Sequence, residues 1–214
     1  MRAIVLPVKS LSESKARLSP VLSPLERGAL TLAMLEDVMD ITQVMSGWET
    51  WVVSPDETVL EVTLKRGSHA IREEKPPLAN AIRQAEEEAS ARQADALAVL
   101  LPDTPLVTVE ALTRALHTLG PVVLAPSTDE SGTNLLIRRP PATIDARFGT
   151  DSYRKHLEAA AVADRPTAIV SAPELAFDLD LPGDILTVLE AHREGRTREV
   201  CLDMDLASRI ATRA

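Results

Sequence analysis

The sequence predicts one α/β domain built on an open, mostly parallel sheet with helices on both faces. Three observations carry that prediction. Strand-like and helix-like segments alternate along the 214 residues, the pattern of chained βαβ units. The run Ala96 to Leu101 is apolar without interruption and is stopped by Pro102, as a central strand covered on both faces should be. A hydrophobic content of 45% suits a single core of ordinary size.

Met1 to Leu6 reads as a buried strand. Ser23, Pro24, Leu25 and Glu26 match an N-cap, an N1 proline and the N3 glutamate of a capping box, so a helix starts near Pro24. Its apolar stripe of Leu30, Ala33, Met34, Val38 and Ile41 runs toward Gly47, a C′ glycine. A strand at Trp48 to Ser54, a helix at Asp56 to Arg66 closed by Gly67, a strand at His69 to Ile71 and a helix at Leu78 to Gln93 lead to the central strand. Beyond it come a helix at Val109 to Leu119, strands at Val122 to Ala125 and Asn134 to Arg138, and a helix at Ser152 to Val162. Strands at Thr167 to Ser171 and Ala176 to Leu179 and a helix near Asp184 to His192 complete a body of residues 1–195. The tail, 196–214, is expected to be helical and packed on that body or on a partner in a homodimer.

A net charge of −9 and 2% aromatic residues argue against a nucleic-acid binder, which needs basic surface and stacking platforms. Cys201 stands alone, which excludes an intrachain disulfide and a multi-cysteine metal site and points to a reducing compartment. No apolar run approaches a membrane span, and a strand opens the chain where a secretory segment would lie. The expectation is a soluble, cytoplasmic protein with no membrane partner.

Between Pro7 and Leu22 the chain carries Lys9, Lys15 and Arg17 against one acid, Glu13, and no glycine. A strand that ends in a cationic loop and then feeds a capped helix suits phosphates. Without glycine it is neither a Walker loop nor a dinucleotide fingerprint, so side-chain charge would do the binding. A solvated surface loop has the same composition. Asp103 stands at the exit of the central strand, and Asp178 and Asp180 at a second exit. Two carboxylate sites suffice for one Mg²⁺, which takes few carboxylates alongside water and substrate phosphates, although each aspartate taken singly reads as a turn or cap residue. The turns Ser131 to Asn134 and Phe148 to Ser152 offer backbone N–H groups and hydroxyls to an anion, or are simply turns. Lys75 to Ala81 either closes over a base or leads into the next helix. His69, His117, His156 and His192 show no metal or nucleophile spacing and read as surface or capping residues.

Together Leu6-Pro-Val-Lys9, Lys15-Ala-Arg-Leu18, Leu22-Ser-Pro, Leu101-Pro-Asp103, Gly132-Thr-Asn134, Phe148-Gly149 with Ser152, and Asp178-Leu-Asp180 resemble the 2-phospho-L-lactate guanylyltransferase family, which includes the bacterial phosphoenolpyruvate guanylyltransferases. The resemblance runs in register to about Glu190. It implies a GT-A-like nucleotidyltransferase fold of the nucleotide-diphospho-sugar transferase type. The implied reaction joins GTP to a phosphorylated three-carbon acid (phosphoenolpyruvate, 2-phospho-L-lactate or 3-phosphoglycerate), releases pyrophosphate, and serves coenzyme F-420 biosynthesis. It implies that Lys9, Lys15 and Arg17 act on the GTP phosphates and that Asp103, Asp178 and Asp180 hold Mg²⁺. Thr133, Gly149 and Ser152 would take the acceptor, and Leu6, Ser54, Leu78 and Asn80 the nucleotide. Pro77 before Leu78, and Ala79 between Leu78 and Asn80, depart from the family pattern at the base. A related enzyme with a molybdopterin or sugar-phosphate acceptor would carry a glycine-rich first loop, which is absent. A silent nucleotide-binding subunit has no need for Lys15, Asp103 and Asp180 together.

Overall fold

The computed structural model describes residues 1–74, 78–191 and 193–212. Seven strands form one sheet: β1 (Arg2–Pro7), β2 (Glu49–Ser54), β3 (His69–Arg72), β4 (Ala96–Leu100), β5 (Val122–Pro126), β6 (Thr133–Arg138) and β7 (Thr167–Ile169). Their order is β3-β2-β1-β4-β6-β5-β7. β1 lies parallel between β2 and β4, while β6 runs antiparallel to both β4 and β5. That reversal sets the start of β6 beside the carboxyl end of β4.

The helices are α1 (Pro24–Gln43), α2 (Glu57–Lys65), α3 (Leu78–Ala91), α4 (Val109–His117), α5 (Ser152–Val162), α6 (Pro173–Ala176), α7 (Pro182–Glu190), α8 (Arg196–Asp203) and α9 (Leu206–Ala211). Successive side chains of a strand point to opposite faces, and both faces of the sheet centre are buried. Ile4, Leu6, Val52 and Leu100 share one core with Leu35 and Val38 of α1 and Leu112 of α4. Ala3, Val5, Trp51 and Leu97 meet the alanine face of α3 (Ala81, Ala85, Ala89) on the other. The capping box forms: Ser23 N–H donates to Glu26 Oε2 (2.8 Å) and Glu26 N–H to Ser23 Oγ (3.4 Å). Among the described residues no helix is long and apolar enough to cross a membrane.

Three expectations are corrected. Ala176 to Leu179 is not a strand, because Pro173 at a helical first turn starts α6 and the extended residues behind it join no ladder. They cross the end of β4, with Leu179 N–H on the Asp103 carbonyl (2.9 Å); the alternating apolar and acidic residues there imitate a strand. The strand from Thr167 stops at Ile169 rather than Ser171. α1 stops at Gln43, and Gly47, with φ +76°, turns the chain toward β2. The expected helix end at His192 lies outside the described residues.

The tail helices lie against α1 and α7. Asp37 of α1 accepts the N–H groups of Arg196 and Thr197, each at 2.8 Å, and so caps α8 from a neighbouring helix. A Cβ on Gly195 would come within 2.9 Å of Asp37 Oδ2, which accounts for glycine there. Cys201 and Leu206 are fully buried with Leu18, Leu30, Met34 and Ile185. Burial pushes the Cys201 thiol up to about 12, which leaves it protonated and inert.

Candidate active site

The segment after β1 is pinned at several points. Val8 N–H continues the ladder to the Val53 carbonyl (2.9 Å), Leu11 N–H donates to Asp56 Oδ2 (3.0 Å), and Thr31 Oγ1 donates to Ser14 Oγ (2.8 Å). Lys15 then adopts a left-handed conformation (φ +48°) ahead of a single 3₁₀ turn, Ala16–Leu18, whose Leu18 is buried against α1 and α7. This kink brings the Lys15 ammonium to the carboxyl end of the sheet. Nζ donates to Asp103 Oδ2 at 2.7 Å and to Asp180 Oδ1 at 2.8 Å, with only 8% of the side chain exposed. Burial opposes the charge, but the two carboxylates outweigh it and raise the Lys15 pKa. Arg17 is exposed and reaches Asp180 Oδ2 at 3.4 Å. Lys9 is exposed and has no ion-pair partner among the described residues.

Asp103 emerges one turn beyond β4. One carboxylate oxygen meets Lys15; the other, Oδ1, is buried with no hydrogen-bond partner among the described residues. A buried lone oxygen of this kind is costly. Asp178 is pushed up to about 6 by burial and by the Asp103 and Asp180 charges, against a hydrogen bond from Asn134. Asn134 holds the crossing segment through Nδ2 bonds to the carbonyls of Leu175 (3.0 Å) and Ala176 (2.8 Å). Asp180 is set by Asp184, whose Oδ2 accepts the N–H groups of Asp180 (2.8 Å) and Leu181 (2.6 Å). No three His, Cys, Asp or Glu side chains among the described residues form a ready metal shell, since the Lys15 ammonium stands between Asp103 and Asp180. The donor set fits magnesium: hard carboxylate oxygens, few in number, one of them unpartnered.

Beside this cluster lies a neutral one. Thr133 N–H donates to Ser152 Oγ (2.8 Å), Thr133 Oγ1 lies 2.9 Å from His156 Nδ1, and Ser152 N–H donates to the Gly149 carbonyl (3.1 Å). Thr133 and Ser152 are buried in the wall. Gly149 is exposed, at φ +112°, with open space where a Cβ would stand. At the ends of β1 and β2, Leu6 turns its side chain into the core, and the fully buried Ser54 accepts the Asp56 N–H on Oγ (3.1 Å). Asn80 is half-buried in the first turn of α3, with Arg83 3.4 Å from its Oδ1. Lys75 to Pro77 and the Leu78 side chain lie outside the described residues.

The chain matches the family described as "Guanylyl transferase CofC like" over residues 1–208. It belongs to that family. This CofC-like chain is 36% identical over 185 residues to a phosphoenolpyruvate guanylyltransferase of Sphaerobacter thermophilus, with 85% of this chain and 89% of the relative covered. It is 34% identical over 211 residues to a 3-phospho-D-glycerate guanylyltransferase of Phenylobacterium zucineum, covering 95% and 97%. Its fold is that of a crystal structure from Desulfovibrio desulfuricans G20, provisionally described as a nucleotide-diphospho-sugar transferase, at TM-score 0.75 and 17% identity over 95% of each chain.

Of the four histidines in this CofC-like chain, His117 is exposed and His69 is half-buried against Glu88 (2.6 Å); His192 lies outside the described residues. His156 contradicts the surface expectation. It is 0% exposed, packs edge-on to Phe148 with ring centroids 4.9 Å apart, and accepts the Arg147 N–H on Nε2 (2.8 Å). The available signal was spacing: Ser152 and His156 stand four residues apart on one helix and so share a face.

Proposed function

We propose that this chain joins GTP to a phosphorylated three-carbon acid and releases pyrophosphate, on a pathway to coenzyme F-420. The observation that carries the reading is Lys15, buried and bonded to both Asp103 and Asp180, with Asn134, next to Thr133 in β6, reaching Asp178 of the same cluster at 3.5 Å. The acceptor's phosphate monoester has a second pKa near ~6 and is ionised at neutral pH, so it can attack the α-phosphorus without a protein base. Lys15, Arg17 and Lys9 neutralise the triphosphate and the departing pyrophosphate, the role preorganised cations play in such transfers. Asp103 and Asp180, with Asp178, would hold Mg²⁺, which supplies charge neutralisation and alignment of phosphate oxygens. Thr133, Ser152 and the open backbone at Gly149 hold the acceptor. The relatives that act on phosphoenolpyruvate and 3-phospho-D-glycerate support an acceptor of that size.

The test is pyrophosphate release from GTP and Mg²⁺ with phosphoenolpyruvate, 2-phospho-L-lactate and 3-phosphoglycerate offered separately. Release with at least one, abolished by chelation, is expected. Silence with all three overturns the reading.

A further inference from the structure

The two hydroxyls assigned to the acceptor each already accept one hydrogen bond. Ser152 Oγ takes the Thr133 N–H. Thr133 Oγ1 faces a ring nitrogen whose role is fixed from the far side of the ring: Nε2 accepts the Arg147 N–H at 2.8 Å, so it carries no proton. The neutral ring must then bear its proton on Nδ1 and donate it to Thr133 Oγ1, 2.9 Å away. Burial, with the Arg138 and Arg147 charges, lowers the His156 pKa to about 4, so the ring stays neutral at working pH. With the imidazole donating, the Thr133 proton cannot point at it. The Ser152 proton is likewise free, and neither finds an acceptor among the described side chains. Both hydroxyls are thereby left as donors, the polarity an anionic substrate requires.

We infer that His156 is a positioning residue for the acceptor subsite: it fixes the Thr133 hydroxyl as a donor and ties the 147–149 backbone to the start of α5 and β6. The assignment rests on the acceptor role proposed for Thr133 and Ser152. The geometry supports it from three directions: the ring bonds to Thr133 at the start of β6, bonds to the backbone at Arg147, and packs on Phe148. In metal sites, residues that orient a ligand in this way govern affinity by about 10–100-fold, and the same order is expected here.

The experiment is steady-state kinetics on His156→Gln, Thr133→Val and the double variant, in the full chain. Glutamine keeps an acceptor near the Nε2 position for the Arg147 N–H and loses the Nδ1 donor to Thr133. The expected result is a KM for the acceptor raised about 10-fold or more in each single variant, a KM for GTP that stays put, and a double variant no worse than Thr133→Val alone. If Thr133→Val leaves the acceptor KM unchanged, the acceptor assignment itself falls, and this inference with it. If Thr133→Val acts but His156→Gln is inert, or the two effects multiply, only the role of His156 falls. Nitrogen-15 shifts of the imidazole in the wild-type protein give a check that needs no variant. A neutral ring protonated at Nδ1 is expected at pH 6; an imidazolium, or a ring protonated at Nε2, overturns the inference.

Discussion

Two groups meet at the end of β4, and they are held by opposite means. The Lys15, Asp103, Asp178 and Asp180 cluster is built from charge: three carboxylates face one buried ammonium, one oxygen has no donor among the described residues, and one carboxyl is pushed up to about 6. The Thr133, Ser152 and His156 group is built from neutral hydrogen bonds and is nearly sealed from water. Unmet charge is what a site retains for a charged ligand, since the unfavourable contacts are relieved when the ligand arrives. A neutral hydrogen-bonded network holds a shape before the ligand arrives.

The largest effect should come from removing the cation on which the first group turns. Lys15→Asn suits the left-handed backbone better than alanine. Pyrophosphate release should fall by about 10²–10³-fold, with circular dichroism unchanged; full activity would erase the functional contrast between the two groups. The second test sharpens the neutral side. His156 is held at about 4 in the fold, against about 6.5 in the unfolded chain. The unfolded state therefore gains a proton first as pH falls, and stability that is complete above pH 6.5 is lost on the way to pH 4. That contribution is on the order of 3 kcal/mol. Urea unfolding across this range should show a steeper loss in the wild type than in His156→Asn, and parallel slopes would contradict a buried neutral ring. The third test asks what charge does where it is fully partnered. Asp37→Ala removes the cap of α8 and should cost about 1–2 kcal/mol in urea while the acceptor KM holds. A large change in the acceptor KM would mean that the tail cap reaches the neutral group.

The same contrast decides what could be read from the sequence. Lys9, Lys15 and Arg17 in a stretch with a single acid, and aspartates just after apolar strands, are visible because charge is conspicuous and strand ends are easy to place. The sheet, its central strand and the capping box at Ser23 were legible for the same reason: period and punctuation are local signals. His156 was not, because a histidine among alanines and charges on an amphipathic helix looks solvated, and its partners lie at Thr133 and Arg147. The segment 176–179 misled because alternation of Phe177, Asp178 and Leu179 is the strand signal itself, while the hydrogen bonds that fix it come from Asn134 and Asp103. The direction of β6 was also hidden, since sequence order does not say which neighbour a strand will take.

Leu18 closes the 3₁₀ turn that begins after Lys15, and its side chain shares a core with Cys201 and Leu206 of the tail. The Lys15 loop and the C-terminal helices therefore share one core, a clasp whose pin is a leucine. On the proposed role of Lys15, an anion seated there would steady α8 and α9, and by reciprocity a loosening of those helices would weaken the grip on the anion. Amide exchange in residues 196–211 thus becomes a gauge of occupancy at the far end of the loop, readable without following the reaction at all.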